Sequence, residues 1–233
     1  MDVRSRFVVS LVVGKRDAET LAEVVADFAD RTGGVPPALT TTDDCSAYAE
    51  VLLAQYGETV VPPRTMPGRP LRPFKRWPHG AVYATVNKTY RKGRVTSVAR
   101  KLVYGTAAEL ALALESSPAS GKINTAFVER QNGTDRTYNA RKARKSYEFS
   151  KDFLVHIAVT WWVYFCYNFH HLHRGLRQRL ADGTYLQRTP AMAIGLAVQP
   201  LSVADILTTQ AVRPVPKIPT SGYFRRSHEG GAP

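Results

Sequence analysis

The sequence predicts an α/β protein: a mixed β-sheet flanked by helices, with a basic β-hairpin and a helical C-terminal part. Three observations carry that expectation. The front of the chain runs strand-like, helix-like, strand-like through Arg6–Val13, Asp17–Ala29 and Val35–Asp43. Ala81–Tyr104 alternates in period two on both sides of Arg91-Lys-Gly-Arg94, and after Lys151 an apolar stretch continues to Phe169.

Arg6–Val13 is rich in Val and Phe and alternates little, as a strand buried on both faces does. Asp17–Ala29 sets Leu21, Val24, Val25 and Phe28 at helical spacing with acids near its start, which suits an amphipathic crossover helix. Gly33-Gly34 and Pro36-Pro37 stop it before the strand that ends in Asp43. Cys45–Gly57 reads as a second helix. A strand, helix, strand order of this kind brings Asp43 to a carboxyl end, where open α/β sheets place their sites.

Thr59–Pro78 changes texture. Arg64, Arg69, Arg72, Lys75 and Arg76 are interleaved with prolines and with Leu71, Phe74 and Trp77. The arginines suit a phosphate backbone, whereas Phe74 and Trp77 fit either stacking on exposed bases or pinning a surface loop to the core. The next arms, Ala81–Tyr104, carry β-branched residues around a Gly-containing turn and read as the hairpin. Thr106–Leu114 is a short helix, Ser116–Gly121 a connector, and the aromatic helix through Phe169 is read as core packing. His170, His171 and His173 are too closely spaced at a helix end to gather as a metal site. Residues 1–207 thus form one domain, and 208–233, rich in proline and glycine, a disordered tail.

With 233 residues, 44% hydrophobic, the chain can bury a substantial core, and its net charge of +13 points to a polyanionic partner. The alternative source of such charge, an anionic membrane surface, brings an amphipathic or anchored segment that is not evident here. Ile157–Phe169 is too short to span a bilayer, and no signal peptide is apparent. Cys45 and Cys166 make no metal spacing and read as reduced thiols in a cytoplasmic protein.

The stretch richest in chemistry is Asn124–Lys151. Glu129 stands there among Arg130, Arg136, Arg141, Lys142, Arg144, Lys145 and Lys151. Wound as a helix at about 100° per residue, it sets Glu129, Asn132, Gly133, Arg136, Ala140, Ala143 and Tyr147 on one face and Arg130, Thr134, Thr137, Arg141, Arg144 and Lys145 on the adjacent one. A solvated basic helix with an incidental acid would look similar. Asn124 and Thr125 as N-cap candidates, with apolar Ala126-Phe127-Val128 behind them, fix Glu129 in the first turn. A carboxylate beside polyanion-binding charge is what phosphodiester chemistry asks for: divalent metals about 3.5–4 Å apart, held by carboxylates from separate elements. Asp43 is the partner the sequence offers.

Taken in order, Val13-Gly-Lys-Arg-Asp-Ala-Glu-Thr20, Leu39-Thr-Thr-Thr-Asp43-Asp-Cys-Ser-Ala-Tyr48, Asn124-Thr-Ala-Phe-Val-Glu129-Arg-Gln-Asn132, Phe149-Ser-Lys151, Tyr167-Asn-Phe169, His173 and Arg188-Thr-Pro-Ala-Met192 resemble the DDE-type insertion-sequence transposases of the InsB-like branch, in the RNase H-like superfamily. The resemblance runs from about Asp2 to Leu207. It implies an RNase H-like catalytic domain with Mg²⁺ or Mn²⁺ as cofactor, and insertion-sequence ends and target DNA as partners. Metal-dependent strand cleavage and strand transfer would take place in a homo-oligomeric synaptic complex, with no membrane involved. Asp43 and Glu129 would be catalytic residues and metal ligands. Arg136, Asn132, Arg130, Arg141, Arg144, Lys145, Arg72, Lys75 and Arg76 would contact DNA. The chain departs from the pattern at its start: Asp2-Val-Arg-Ser-Arg6 is similar to a turn that follows the opening strand, so the first catalytic aspartate and its strand are expected to be missing, with Asp2 as third ligand the minor alternative. A DNA-binding remnant that cannot cleave, an RNase H-like ribonuclease and a basic binding module without chemistry are the competing expectations.

Overall fold

The computed structural model describes residues 1–63, 71–117, 120–143 and 147–208. Helix α1, Ala18–Arg31, starts at Asp17, whose carboxylate accepts from the Thr20 amide, and packs against α2, Ala47–Tyr56. Between them lies β1, Leu39–Asp43. Strand β2, Glu58–Val60, pairs antiparallel with β3, Phe74–Arg76. Then come β4, Val82–Arg91, and β5, Arg94–Tyr104. The main sheet has the order β1-β4-β5, with β1 and β4 parallel and β4 and β5 antiparallel, so it is mixed as expected. The hairpin turns at Lys92 and Gly93, both at positive φ (50° and 77°), the combination a tight two-residue turn requires.

Helix α3, Ala107–Glu115, opens with a reciprocal cap in which Thr106 and Glu109 satisfy each other's backbone amides. Helices α4, Ala126–Tyr138, and α5, Phe153–Phe169, follow. The chain closes with a hairpin of β6, His173–Arg179, and β7, Tyr185–Arg188, and with the short helices α6, Pro190–Ala193, and α7, Val203–Thr208.

Helices cover both faces of the sheet. Val25 and Ala29 of α1 and Leu52 and Tyr56 of α2 bury themselves against Tyr83, with Trp77 and Tyr104 completing the cluster. On the other face Ala84 and Val86 meet Ile123, Leu110 and Leu114. Of the two rings in the Arg-rich loop, Trp77 belongs to this core, stacked 5.0 Å from Tyr104 with its indole N–H on the Ala81 carbonyl, while Phe74 is exposed.

Several expectations are corrected. Arg6–Val13 is not a strand: among the described residues it joins no ladder, and Val8 instead exchanges two 3.0 Å hydrogen bonds with the side-chain amide of Asn168. The second strand begins at Leu39, after the prolines, rather than at Val35. The C-terminal part is not purely helical, because β6 and β7 follow α5. The expected turn at Asp2 is present: its carboxylate accepts from the amides of Arg4 and Ser5 and from the Ser5 hydroxyl. The first residue of the expected tail 208–233, Thr208, is the last of α7, and residues 209–233 lie outside the described ones, as do Arg64 and Arg69.

Candidate functional site

Strand alternation decides where the two acids look. Thr41 donates to the Asn124 carbonyl just ahead of α4, whereas Thr42 bonds the Tyr83 hydroxyl under α1 and α2. Asp43 is two residues beyond Thr41 and so shares the α4 side. Its register partner on β4 is Val86, which packs on Ile123 on that same face. Lys88, two residues further along β4, donates to both carboxylate oxygens of Glu129 at 2.5 Å. Glu129 also accepts from the Thr125 hydroxyl at 2.6 Å. Asp43 and Glu129 therefore both lie toward the carboxyl end of the parallel pair β1 and β4, but the Asp43 carboxylate turns to Arg16 and lies near Tyr48 of α2, and among the described residues no contact joins the two acids. Asp44 faces the other way and accepts from Thr85 at 3.3 Å and Asn87 at 3.0 Å.

Each of the two acids already has a cation. Arg16 donates to Asp43 at 3.3 Å across an exposed contact, the Asp43 side chain being 58% accessible. The Lys88 ammonium, and after it the Thr125 hydroxyl, hold the Glu129 carboxyl below the usual carboxylate range. Among the described residues no group of three or more His, Cys, Asp or Glu side chains is arranged to hold a metal ion. Asp2, the alternative third ligand, spends its carboxylate inside its own turn, beside Leu176 and Arg188. Two carboxylates, each paired with a cation, do not by themselves fit a two-metal centre, which needs carboxylates bridging and flanking both ions.

Helix α4 is shorter than the expected Asn124–Lys151. It ends at Tyr138, Asn139 leaves helical geometry, and Ala140–Lys142 form a single 3-10 turn. Past this break Lys142 folds back to pair with buried Asp135, seven residues before it, at 2.9 Å. The face that packs inward carries Gln131 and Asp135, not Glu129 and Arg136. Thr125 precedes the helix as expected, yet its hydroxyl serves Glu129, while the Asn124 side chain accepts the Ala126 amide.

The expected DNA contacts divide accordingly. Arg130, Asn132, Arg136, Arg141 and Arg72 are exposed. Lys75 instead caps α2, its ammonium donating to the carbonyls of Ala54 and Gly57, and Arg76 pairs with Glu58 at 3.2 Å. Arg144 and Lys145 lie outside the described residues.

Sequence reasoning missed a second concentration of charge. A cavity of about 870 Å³ lies between α4, the end of α5, the β6–β7 hairpin and the N-terminal turn. Arg6, Arg130, Arg174 and Arg177 line it, and no Asp or Glu is among its lining residues. Burial, against the pull of the Tyr167 carbonyl and with help from nearby Arg6, holds His173 below its ordinary value. The hairpin that forms one wall carried a signal in Asp182-Gly183: Gly183 is at φ 82° and the Asp182 carboxylate accepts from the Thr184 amide.

Compared with models of known protein families, with curated proteins and with solved structures, the chain matches none. Among the described residues no helix is long and apolar enough to cross a membrane, and Cys45 and Cys166 are free thiols.

Proposed function

We propose that the chain is a DNA-binding domain of RNase H-like design, in the DDE transposase class, that engages insertion-sequence DNA and does not cleave it unaided. The observation that carries this reading is the basic surface of α4 and its surroundings, where Arg130, Arg136 and Arg141 stand exposed in a chain of net charge +13. Guanidinium groups in that setting release counterions from a phosphate backbone, which makes binding tight at low salt and weak at high salt. Mobility-shift titration of a short duplex at several salt concentrations tests it. Affinity should fall steeply with salt, and Arg136→Ala should weaken it and flatten the slope. Binding that is absent, or indifferent to salt, overturns the proposal.

A second reading, metal-dependent strand cleavage and transfer, draws on the place of Asp43 and Glu129 toward the carboxyl end of the parallel pair β1 and β4. The pairs Arg16–Asp43 and Lys88–Glu129 weigh against it, because they put cations where divalent ions would have to enter. Nicking of supercoiled DNA in Mg²⁺ or Mn²⁺, abolished by both Asp43→Asn and Glu129→Gln, would establish cleavage. DNA retained without nicking, unchanged by Glu129→Gln, favours binding alone.

A further inference from the structure

Guanidinium groups gathered around one concavity repel each other unless an anion joins them, and the cavity beside α4 is lined by Arg6, Arg130, Arg174 and Arg177, the last with its guanidinium 4.2 Å from the centre of the Tyr185 ring. None of the four pairs with a carboxylate among the described residues. The site is built rather than incidental. Arg6 sits at φ 61°, a left-handed backbone that non-glycine residues rarely adopt and that persists where surroundings enforce it. Its guanidinium lies 5.8 Å from the centre of the Phe127 ring and presses against Gly175, where an added Cβ would stand 2.7 Å from the Arg6 Cζ. The wall also carries Gln131, 5% exposed, whose amide is enclosed beside the Tyr164 hydroxyl. At the rim Tyr138 is 53% exposed and stacked 4.6 Å from His171, which leaves aromatic surface for another ring.

We propose that this cavity binds one unpaired nucleotide of a DNA strand, its phosphate among the arginines that line it and its base against Tyr138. The inference rests on the DNA-binding reading and gives it a substrate form: DNA with an extruded or terminal nucleotide. Charge alone would serve inorganic phosphate, but that ion fills only a small part of the volume and leaves the ring unused. Intact duplex is excluded from a concavity of this size by its own diameter, whereas a single nucleotide enters it, as bases do wherever proteins read unstacked strands.

The test is fluorescence anisotropy in EDTA with two probes, a blunt duplex and the same duplex carrying a short single-stranded extension. The protein should prefer the extended probe by about tenfold, the scale of one base stacked on an aromatic ring together with its phosphate contact. Tyr138→Ala, and Gly175→Ala, which pushes the Arg6 guanidinium aside, should each remove most of that preference while leaving blunt-duplex affinity within about twofold. Adenosine monophosphate should displace the extended probe at concentrations where inorganic phosphate does not. Thermal melting checks that both variants fold; should Gly175→Ala fail to fold, Tyr138→Ala carries the test. Equal affinity for the two probes, variants that weaken both alike, or displacement by inorganic phosphate or an acidic peptide as strong as by the nucleotide would each overturn the proposal. Salt-sensitive duplex binding without preference sinks the cavity assignment alone, and no binding to either probe sinks the DNA reading with it.

Discussion

The Lys88 ammonium lies 2.5 Å from both carboxylate oxygens of Glu129, so a residue of the hairpin and a residue of the first turn of α4 are tied across the carboxyl end of the sheet. Glu129 keeps its charge to lower pH than a free glutamate. Because the folded state lowers this pKa, the pair contributes stability above the unfolded value and loses it as pH falls through the folded one. The Glu129 side chain is 47% accessible, which limits the contribution to about 1 kcal/mol or less. Lys88→Met should raise the Glu129 pKa, read from carboxyl chemical shifts. It should also reduce the loss of urea midpoint on acidification from neutrality into the range below the ordinary glutamate pKa. An unchanged Glu129 titration would contradict the pairing.

The pair Asp135–Lys142 behaves differently, since both side chains are largely enclosed, at 9% and 21% accessible. Lys142→Met would strand a buried carboxylate with only the Tyr164 hydroxyl beside it. Denaturant unfolding should show a loss of about 3 kcal/mol, and Asp135→Leu added to Lys142→Met should recover part of it. If the double variant is weaker than the single one, the carboxylate has another stabilising partner.

Tyr83 is fully buried at the centre of the cluster beneath α1 and α2, and its hydroxyl bonds Thr42. Tyr83→Ala should cost about 4 kcal/mol through cavity formation, measured by urea unfolding. Tyr83→Phe should cost only about 1 kcal/mol through the lost hydrogen bond. Similar losses in the two variants would mean that the ring is not what the helices pack on.

Asn168 holds the segment after the N-terminal turn through both Val8 backbone groups. Asn168→Leu keeps the bulk and removes both bonds, so the Val8 amide should lose hydrogen-exchange protection. Stability should drop by about 2 kcal/mol. Protection unchanged at Val8 would show that the segment is anchored elsewhere.

Local signals were legible in the sequence. Lys92-Gly93 announced its turn, Thr106 with Glu109 its cap, and the periodicity of Leu21, Val25 and Phe28 its helix, because each depends on residues a few positions apart. Asp43 at a strand end and Glu129 in a first turn were legible for the same reason. Their partners were not. Lys88 is 41 residues from Glu129 and Arg16 is 27 from Asp43, and only the folded sheet brings them together. The end of α4 at Tyr138 was hidden for another reason: the helical spacing continues past it, while Asn139 leaves helical geometry. The cavity was the least visible feature, since its arginines come from the N-terminal turn, α4 and β6 and no motif spans them.

The neighbouring acids Asp43 and Asp44 are not duplicates. Side chains on a strand swap sides with every residue, so a slip of one position between β1 and β4 would turn Asp43 under α1 and α2 and present Asp44 to the helix that bears Glu129. Asp44 is fastened to Thr85 and Asn87, alternate residues of the adjoining strand, and works as a latch against that slip. Untying it should loosen the register of β1 on β4 without taking either carboxylate away.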